Sequence, residues 1–387
     1  MAKILAVGGG SGGHVTPVVA VFREIRASGA HELRFWCDRS FGPKAKGIVH
    51  HFDASIPVEY IVAGKLRRYH GQSAWQQLRP SILLPNLRDF LKVLLGFVQS
   101  FVKLLRWRPD VIFIKGGYVC LPVGYAARLL NIPLVLHDSD AHPGLTNRLL
   151  APFARRIATG APLEYYRYPQ DKARYVGIPV APEFRPYSEA ERRALKQRLK
   201  FPENRPLVVV TGGGLGAMRI NEAVATTRDQ LLERGSVFLI SGTHQYDELR
   251  SRLDDREGWR LAAFIHKDMA MVLAAADIVV ARAGATTLLE LAALAKPTII
   301  IPNGRLTAGH QLKNAKVYQD SLAAIVLEEE ALLERPELLV QTIDHLLKAP
   351  RIRRDLSRRF AAYAKPQAAQ DMAQIILTEA RRSRRRR

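Results

Sequence analysis

Residues 4–17 read ILAVGGGSGGHVTP: a short apolar run meets five glycines in six positions, and a histidine closes them. Such a run followed by glycines and then a helical pattern predicts a buried strand, a tight turn and a helix. That order aims backbone N–H groups outward at the positive end of a helix, a geometry that binds phosphate or other anions. Residues 206–221, PLVVVTGGGLGAMRIN, repeat the arrangement in the second half of the chain. Two such units predict an α/β protein of two halves, each a parallel sheet wound with helices.

Working outward, the first half carries strand-like runs at 4–7, 33–36, 111–114, 133–137 and 157–159, with helices after the first and after Gly116-Gly117. The second half starts afresh with PLVVVTGGG (206–214), VFLISG (237–242), RLAAFI (260–265), DIVVARAG (277–284) and PTIIIPNG (297–304). Between them, VGIPVAPEFRPYS (176–188) holds Pro179, Pro182 and Pro186, which disfavour helix and extend the backbone. The expected domains are therefore 1–175 and 189–350, joined by a 176–188 linker. A helical segment over 351–380 and a basic tail over 381–387, disordered unless bound, follow.

Length and composition agree with two folded domains: 387 residues, 48% apolar and 24% charged. A net charge of +22 points to a polyanionic neighbour: nucleic acid, an anionic membrane or phosphorylated substrates. Cys37 and Cys120 are the only cysteines, without zinc-type spacing, which fits a reducing compartment. The N-terminus shows no export pattern, so a cytoplasmic location is expected. The stretch FLKVLLGFVQSFVKLLRW (90–107) is interrupted by Lys92, Gln99 and Lys103 and is too short and too charged to span a bilayer. Leu87, Phe90, Leu91, Leu94, Val98, Phe101, Val102 and Leu105 recur there at helical spacing near Arg88, Lys92, Lys103, Arg106 and Arg108. This stripe either lies in an anionic membrane interface or packs on the sheet. A nucleic-acid groove, with basic and aromatic residues interleaved, is not visible.

Three places carry candidate chemistry. His14 closes the first glycine loop, is expected in the first turn of the following helix, and could accept a proton from a hydroxyl nucleophile or simply hydrogen-bond locally. Gly8, Gly10 and Gly13 match G-x-G-x-x-G, and Asp38 stands near the offset of a ribose-binding acid, which keeps an NAD-dependent oxidoreductase open. The second loop is unexplained by that reading. Glu290 could complete a capping box with Thr287 or accept two vicinal ribose hydroxyls.

Taken together, GGGSGGHVTP, GKLRRY (64–69), RPDVIFIKGGYVCLP (108–122), IPLVLHDSDAHPGLTNRLL (132–150), VGIPV (176–180), GGGLGAMRIN (212–221), ARAGATTLLELAAL (281–294) and GHQLKNA (309–315) resemble the MurG family. Its members move N-acetylglucosamine from UDP to undecaprenyl-diphospho-muramoyl-pentapeptide during peptidoglycan synthesis. The resemblance spans nearly the whole chain. It implies a GT-B fold, two Rossmann-like domains with an interdomain cleft, and inverting transfer without metal or cofactor at the cytoplasmic face of the membrane. It further implies that Phe264 and Ile265 hold uracil, Glu290 the ribose, and Gly212, Gly213, Gly214, Leu215 and Gly216 the donor diphosphate. His310 and Gln311 would meet the sugar. On the acceptor side stand Ser11, Gly12, Gly13, Tyr118, Asp140 and Asn147, with His14 as the base. The implied partners are UDP-N-acetylglucosamine, an undecaprenyl-diphosphate-linked acceptor and an anionic membrane surface, with no nucleic acid.

Departures from the family pattern are specific. His-Glu-Gln-Asn reads His137-Asp138-Ser139-Asp140, Gly309 stands where an aspartate is common, and the second loop has Gly214 or Leu215 in place of a serine. Asp138-Ser139-Asp140 also matches the D-x-D of metal-dependent glycosyltransferases of another fold, although it follows a strand in the acceptor half. A GT-B enzyme with a different lipid acceptor, a UDP-N-acetylglucosamine epimerase and a non-catalytic nucleotide-binding membrane scaffold are the remaining rivals.

Overall fold

The computed structural model describes every residue except 11, 66–79, 214–215, 266–267, 305–308 and 387, and for 80–83 the backbone alone. The chain divides into two compact units, Met1–Ala181 with Lys365–Arg387, and Pro182–Ala364.

In the first unit, β1 (Lys3–Gly8), β2 (Glu32–Asp38), β3 (Val58–Ile61), β4 (Val111–Gly116), β5 (Leu134–Asp138), β6 (Arg156–Thr159) and β7 (Ala173–Tyr175) form one parallel sheet in the order β3-β2-β1-β4-β5-β6-β7. Strands buried on both faces read as continuous apolar runs, which is why β1 and β4 were legible. Ile4, Ala6, Phe35 and Phe113 face the helices Thr16–Ala27 and Ala368–Arg385. Leu5, Val7, Ile112 and Ile114 face the helices Pro80–Arg106 and Cys120–Leu129. The second unit repeats the design with β8 (Leu207–Thr211), β9 (Ser236–Ile240), β10 (Trp259–Ala262), β11 (Ile278–Ala281), β12 (Thr298–Ile300) and β13 (Ile325–Val326), in the order β10-β9-β8-β11-β12-β13. In each sheet the order reverses direction once, between β1 and β4 and between β8 and β11. The crevice beyond the carboxyl ends at such a reversal is where open α/β sheets bind ligands.

The C-terminus corrects the sequence reading. Residues 368–385 form one helix, so the arginine run is no disordered tail. Met372, Ala373, Ile376 and Ala380 keep the helical spacing and pack into the core of the first unit, and arginine, a good helix former, suits the negative C-terminal end. Buried Glu379 anchors the end through Arg156 and Arg382. The 351–380 segment is two helices, Pro350–Ala361 in the second unit and Ala368–Arg385 in the first. The unit boundary lies between Ala181 and Pro182.

The helix Pro80–Arg106 divides its apolar residues between two faces. Val93, Phe97, Phe101 and Leu104 pack on the sheet. Leu84, Leu87, Leu91, Leu95, Val98 and Leu105 are each more than half exposed. Phe101 thus belongs to the inner face, while the other seven residues of the sequence stripe remain on the surface. Among the described residues no helix is long and apolar enough to cross a membrane.

Candidate functional site

In the first unit, the glycine loop leaves β1 and passes through a 3-10 turn, Gly12–His14, before the helix begins at Thr16. His14 therefore precedes the helix rather than opening it. Its Nδ1 donates to the Gly9 carbonyl at 2.6 Å, since a carbonyl only accepts, which leaves Nε2 as the basic nitrogen of the neutral ring. Burial, with the Lys115 ammonium second, pushes the imidazole down to about 4 against smaller pulls from Gly9, Asp140 and Asp38. A side chain on Gly12 would meet nothing within 4 Å, so the loop faces open space there.

Asp38 organises this loop. Its carboxylate accepts from the Gly10 N–H at 2.8 Å, the Phe41 N–H at 3.0 Å and the Ser40 hydroxyl, which lies 3.1 Å from the Tyr118 hydroxyl. A ribose would have to displace these bonds, which removes the physical basis of the dinucleotide reading. Gly117, at φ 93°, brings the turn after β4 against the loop, where a Cβ would lie 2.6 Å from the Gly9 carbonyl oxygen.

The strand ends beside this loop hold a buried charge cluster. Lys115, the last side chain of β4, is 1% exposed and donates to the Ser139 hydroxyl. Burial brings its ammonium down to about 8, with Asp140 and then Asp138 opposing. Asp138 accepts from the Tyr168 hydroxyl at 2.7 Å and is pushed up to about 7 by burial. The D-x-D carboxylates thus already face an ammonium and a phenol, the positions a nucleotide-bound cation would take. Asp140 is half-buried, and its backbone carbonyl accepts from Tyr166 at 2.7 Å. Asn147 is buried on the helix Leu145–Leu150, with Nδ2 3.4 Å from the His137 carbonyl and Oδ1 unpartnered. Sequence reasoning passed over Lys115. Its signal was a lysine closing an otherwise apolar strand before two glycines.

In the second unit, Gly212 leaves β8 and Gly216, at φ 78°, precedes the helix Met218–Thr226. A Cβ on Gly216 would sit 2.4 Å from the Ser241 carbonyl oxygen, whereas one on Gly213 would meet nothing within 4 Å. Ser11, Gly214, Leu215 and residues 66–69 of GKLRRY lie outside the described residues. Phe264 is 43% exposed and, with Ile265, falls beyond the end of β10, in the loop that the sequence reading had placed in a strand.

Glu290 lies on the helix Ala285–Ala293, whose N-cap is Gly284, so Thr287 is inside the helix and the capping-box reading falls. Burial pushes the Glu290 carboxyl up to about 8, and among the described residues nothing hydrogen-bonds to it. His310 and Gln311 open the helix His310–Asp320, and the Gln311 side-chain oxygen accepts from the Asn303 N–H at 2.9 Å. Gly309, its N-cap, sits at φ 65°, where glycine is unstrained. The glycine turn and Glu290 thus lie at the carboxyl ends of β8 and β11, as His14 and Lys115 do at β1 and β4.

Two doubly wound parallel units, each with a glycine turn at its switch point, are the architecture of the GT-B fold. The comparisons sharpen this. Residues 4–159 match the glycosyltransferase family 28 N-terminal domain and residues 207–372 its C-terminal domain. A Clostridium botulinum (strain Langeland) UDP-N-acetylglucosamine--N-acetylmuramyl-(pentapeptide) pyrophosphoryl-undecaprenol N-acetylglucosamine transferase is 34% identical over 338 residues, 87% of this chain and 88% of its own. Its Legionella pneumophila (strain Paris) counterpart is 33% identical over 352 residues, 89% of each. The chain belongs to this transferase family, within glycosyltransferase family 28. The fold also matches Acinetobacter baumannii MurG, with a TM-score of 0.71 at 23% identity over 97% of this chain and 99% of that one. It likewise matches a UDP-GlcNAc 2-epimerase from Neisseria meningitidis, with a TM-score of 0.69 at 12% identity over 97% and 100%. The epimerase likeness is one of fold alone.

Proposed function

We propose that this chain transfers N-acetylglucosamine from UDP-N-acetylglucosamine, with inversion, to the 4-hydroxyl of undecaprenyl-diphospho-N-acetylmuramoyl-pentapeptide. The observation that carries the reading is His14: an imidazole fixed through Nδ1 to the Gly9 carbonyl, at the mouth of a glycine turn on the first unit's switch point. The acceptor's diphosphate rests on the N–H groups of Gly12 and Gly13, with Tyr118, Asp140 and Asn147 around the muramoyl moiety. His14 Nε2 takes the proton of the 4-hydroxyl as its oxygen bonds to the anomeric carbon. The bond from that carbon to the UDP oxygen breaks, and UDP leaves with the electron pair.

On the donor side, the N–H groups of Gly212, Gly213 and Gly216 and the start of the helix Met218–Thr226 stabilise the charge that grows on UDP. Glu290 accepts the ribose hydroxyls, Phe264 and Ile265 flank the uracil, and His310 with Gln311 meets the sugar. The chain's own donors supply this stabilisation, so the reading needs no cofactor. The exposed stripe of the helix Pro80–Arg106, beside Arg88, Lys92 and Arg106, seats the enzyme on the anionic cytoplasmic membrane face, where a polyprenyl acceptor is held.

The test is transfer of labelled N-acetylglucosamine to a short-chain polyprenyl-diphospho-muramoyl-pentapeptide. His14→Ala is expected to lose about 10²-fold or more in kcat while UDP affinity holds. Donor binding without transfer by the unaltered chain would refute the reading in favour of a nucleotide-binding scaffold.

A further inference from the structure

Of three successive glutamates, Glu328 and Glu330 are exposed, while Glu329 between them is buried to 2%. Glu329 opens the helix Glu329–Glu334, whose Leu332 shares the core of the second unit with Ile220 and Val224 of the helix Met218–Thr226. A carboxylate taken out of water at that depth is costly unless its oxygens are paired, and both are. Oε2 accepts from Arg219 Nη1 at 3.2 Å, and Oε1 accepts from Arg282 Nη2. These two arginines stand on the two elements to which the donor is assigned. Arg219 is the second residue of the helix that follows the glycine turn after β8. Arg282 is the first residue after β11, two positions before Gly284, the N-cap of the helix that bears Glu290.

Arg282 is held from its other side as well. It is 7% exposed, and its Nη1 donates to the Ile301 carbonyl at 3.1 Å, just beyond β12. The Ala283 carbonyl beside it accepts from Asn314 Nδ2 at 3.0 Å, a buried side chain of the helix His310–Asp320. The short link between β11 and the helix of Glu290 is thus fixed by three neighbouring segments, and Glu329 is the one that also reaches the glycine-turn helix.

We propose that Glu329 is a positioning residue for the nucleotide donor, its two oxygens tying the start of the diphosphate-binding helix to the ribose-binding helix at a fixed separation. This role rests on the donor-side reading given above. It accounts for a buried ion triad at the carboxyl ends of β8 and β11, where apolar side chains of similar size would serve stability as well. A nucleoside diphosphate spans both helices, so an error in their separation is felt as lost affinity for UDP rather than as unfolding.

The experiment pairs calorimetry with UDP and amide hydrogen exchange of the ligand-free full-length chain. Glu329→Gln releases both arginines. Arg219→Met cuts one arm and leaves the buried Arg282 paired, which provides the test where Glu329→Gln folds poorly. Exchange should quicken by about threefold or more over 216–226 in both variants, and over 284–293 in Glu329→Gln alone. The UDP Kd should weaken by about 3- to 30-fold in each, with KM for the UDP-sugar rising alike and KM for the acceptor unmoved. Arg219→Lys, which restores a cation to Glu329, should recover most of the loss, and Glu330→Gln, at the exposed contact with Arg219, should change little. A direct contact of Arg219 with the diphosphate predicts the opposite sign in Glu329→Gln, since a freed guanidinium would bind UDP more tightly. Tighter or unchanged UDP binding by folded Glu329→Gln, or unchanged binding by Arg219→Met, therefore overturns the proposal. An unaltered chain that binds no UDP overturns the donor reading instead, and the positioning role with it.

Discussion

Glu290→Gln separates a ribose ligand from a structural carboxyl, because the two roles predict opposite consequences. Burial holds Glu290 up to about 8 in the ligand-free chain, so at pH 7 roughly one molecule in ten carries the charge. Ribose hydroxyls donate best to the ionised form, and forming it at pH 7 costs about 1.4 kcal/mol. UDP affinity measured by calorimetry should therefore rise as pH climbs from 6.5 to 8.5, by about 25-fold as the ionised fraction grows, and level off above pH 9. With glutamine that slope disappears, and at pH 8.5 the Kd should be weaker by about 10- to 100-fold, the worth of hydrogen bonds to a charged acceptor. Stability should move the other way. A carboxyl raised from its ordinary 4.5 binds more protons folded than unfolded, so the ligand-free chain loses stability as pH rises from 4.5 through about 8. Glu290→Gln removes that loss and should raise the Tm most at pH 8.5. A UDP Kd with no pH dependence, unchanged in the variant, would refute the ribose role.

Asp38→Ala should destabilise the first unit by about 2–3 kcal/mol, since it strands the Gly10 and Phe41 N–H groups, and should raise KM for the acceptor; urea unfolding and initial rates check both. Gly216→Ala should cost more Tm than Gly213→Ala, because both sit at positive φ but only the first puts a Cβ 2.4 Å from a carbonyl oxygen, while Gly213→Ala should still weaken UDP binding by intruding on open space. Leu91→Ser with Leu95→Ser should lower partitioning onto anionic vesicles by about 30-fold, taking about 1 kcal/mol for each half-exposed leucine, with the Tm unchanged because neither side chain lies in the core. Raised salt should weaken vesicle binding of the unaltered chain without unfolding it, read by flotation and circular dichroism.

The sequence made the central strands legible because parallel strands covered on both faces must be apolar throughout; Val208-Val209-Val210 and Ile112-Phe113-Ile114 could be little else. The edge strands escaped for the converse reason. Val58–Ile61 carries Glu59, which pairs with Lys103 and Arg34 at a half-exposed edge, and Ala173–Tyr175 presents Arg174 to solvent, so neither shows a period. The arginine tail misled because composition was read in place of spacing: Met372, Ile376 and Ala380 already set a helix that the arginines only prolong. Glu290 illustrates a different limit. Thr287 and Glu290 have the form of a capping box, and only the backbone places the cap three residues earlier, at Gly284.

Lys115 escaped because a single sequence offers no sign that one charge in an apolar strand is compensated from elsewhere in the chain. Its hydrogen-bond partner, Ser139, was noticed only as part of a departure from a pattern, and the two stand 24 positions apart, with Ser139 directly after the neighbouring strand. A buried lysine is costly, and one hydroxyl contact returns only part of that cost. Lys115→Met should therefore leave the chain at least as stable in urea as the unaltered one. A Lys115→Met chain that is as stable yet transfers more slowly would show that the charge is retained for function. One that loses several kcal/mol in urea would assign the charge to the fold instead.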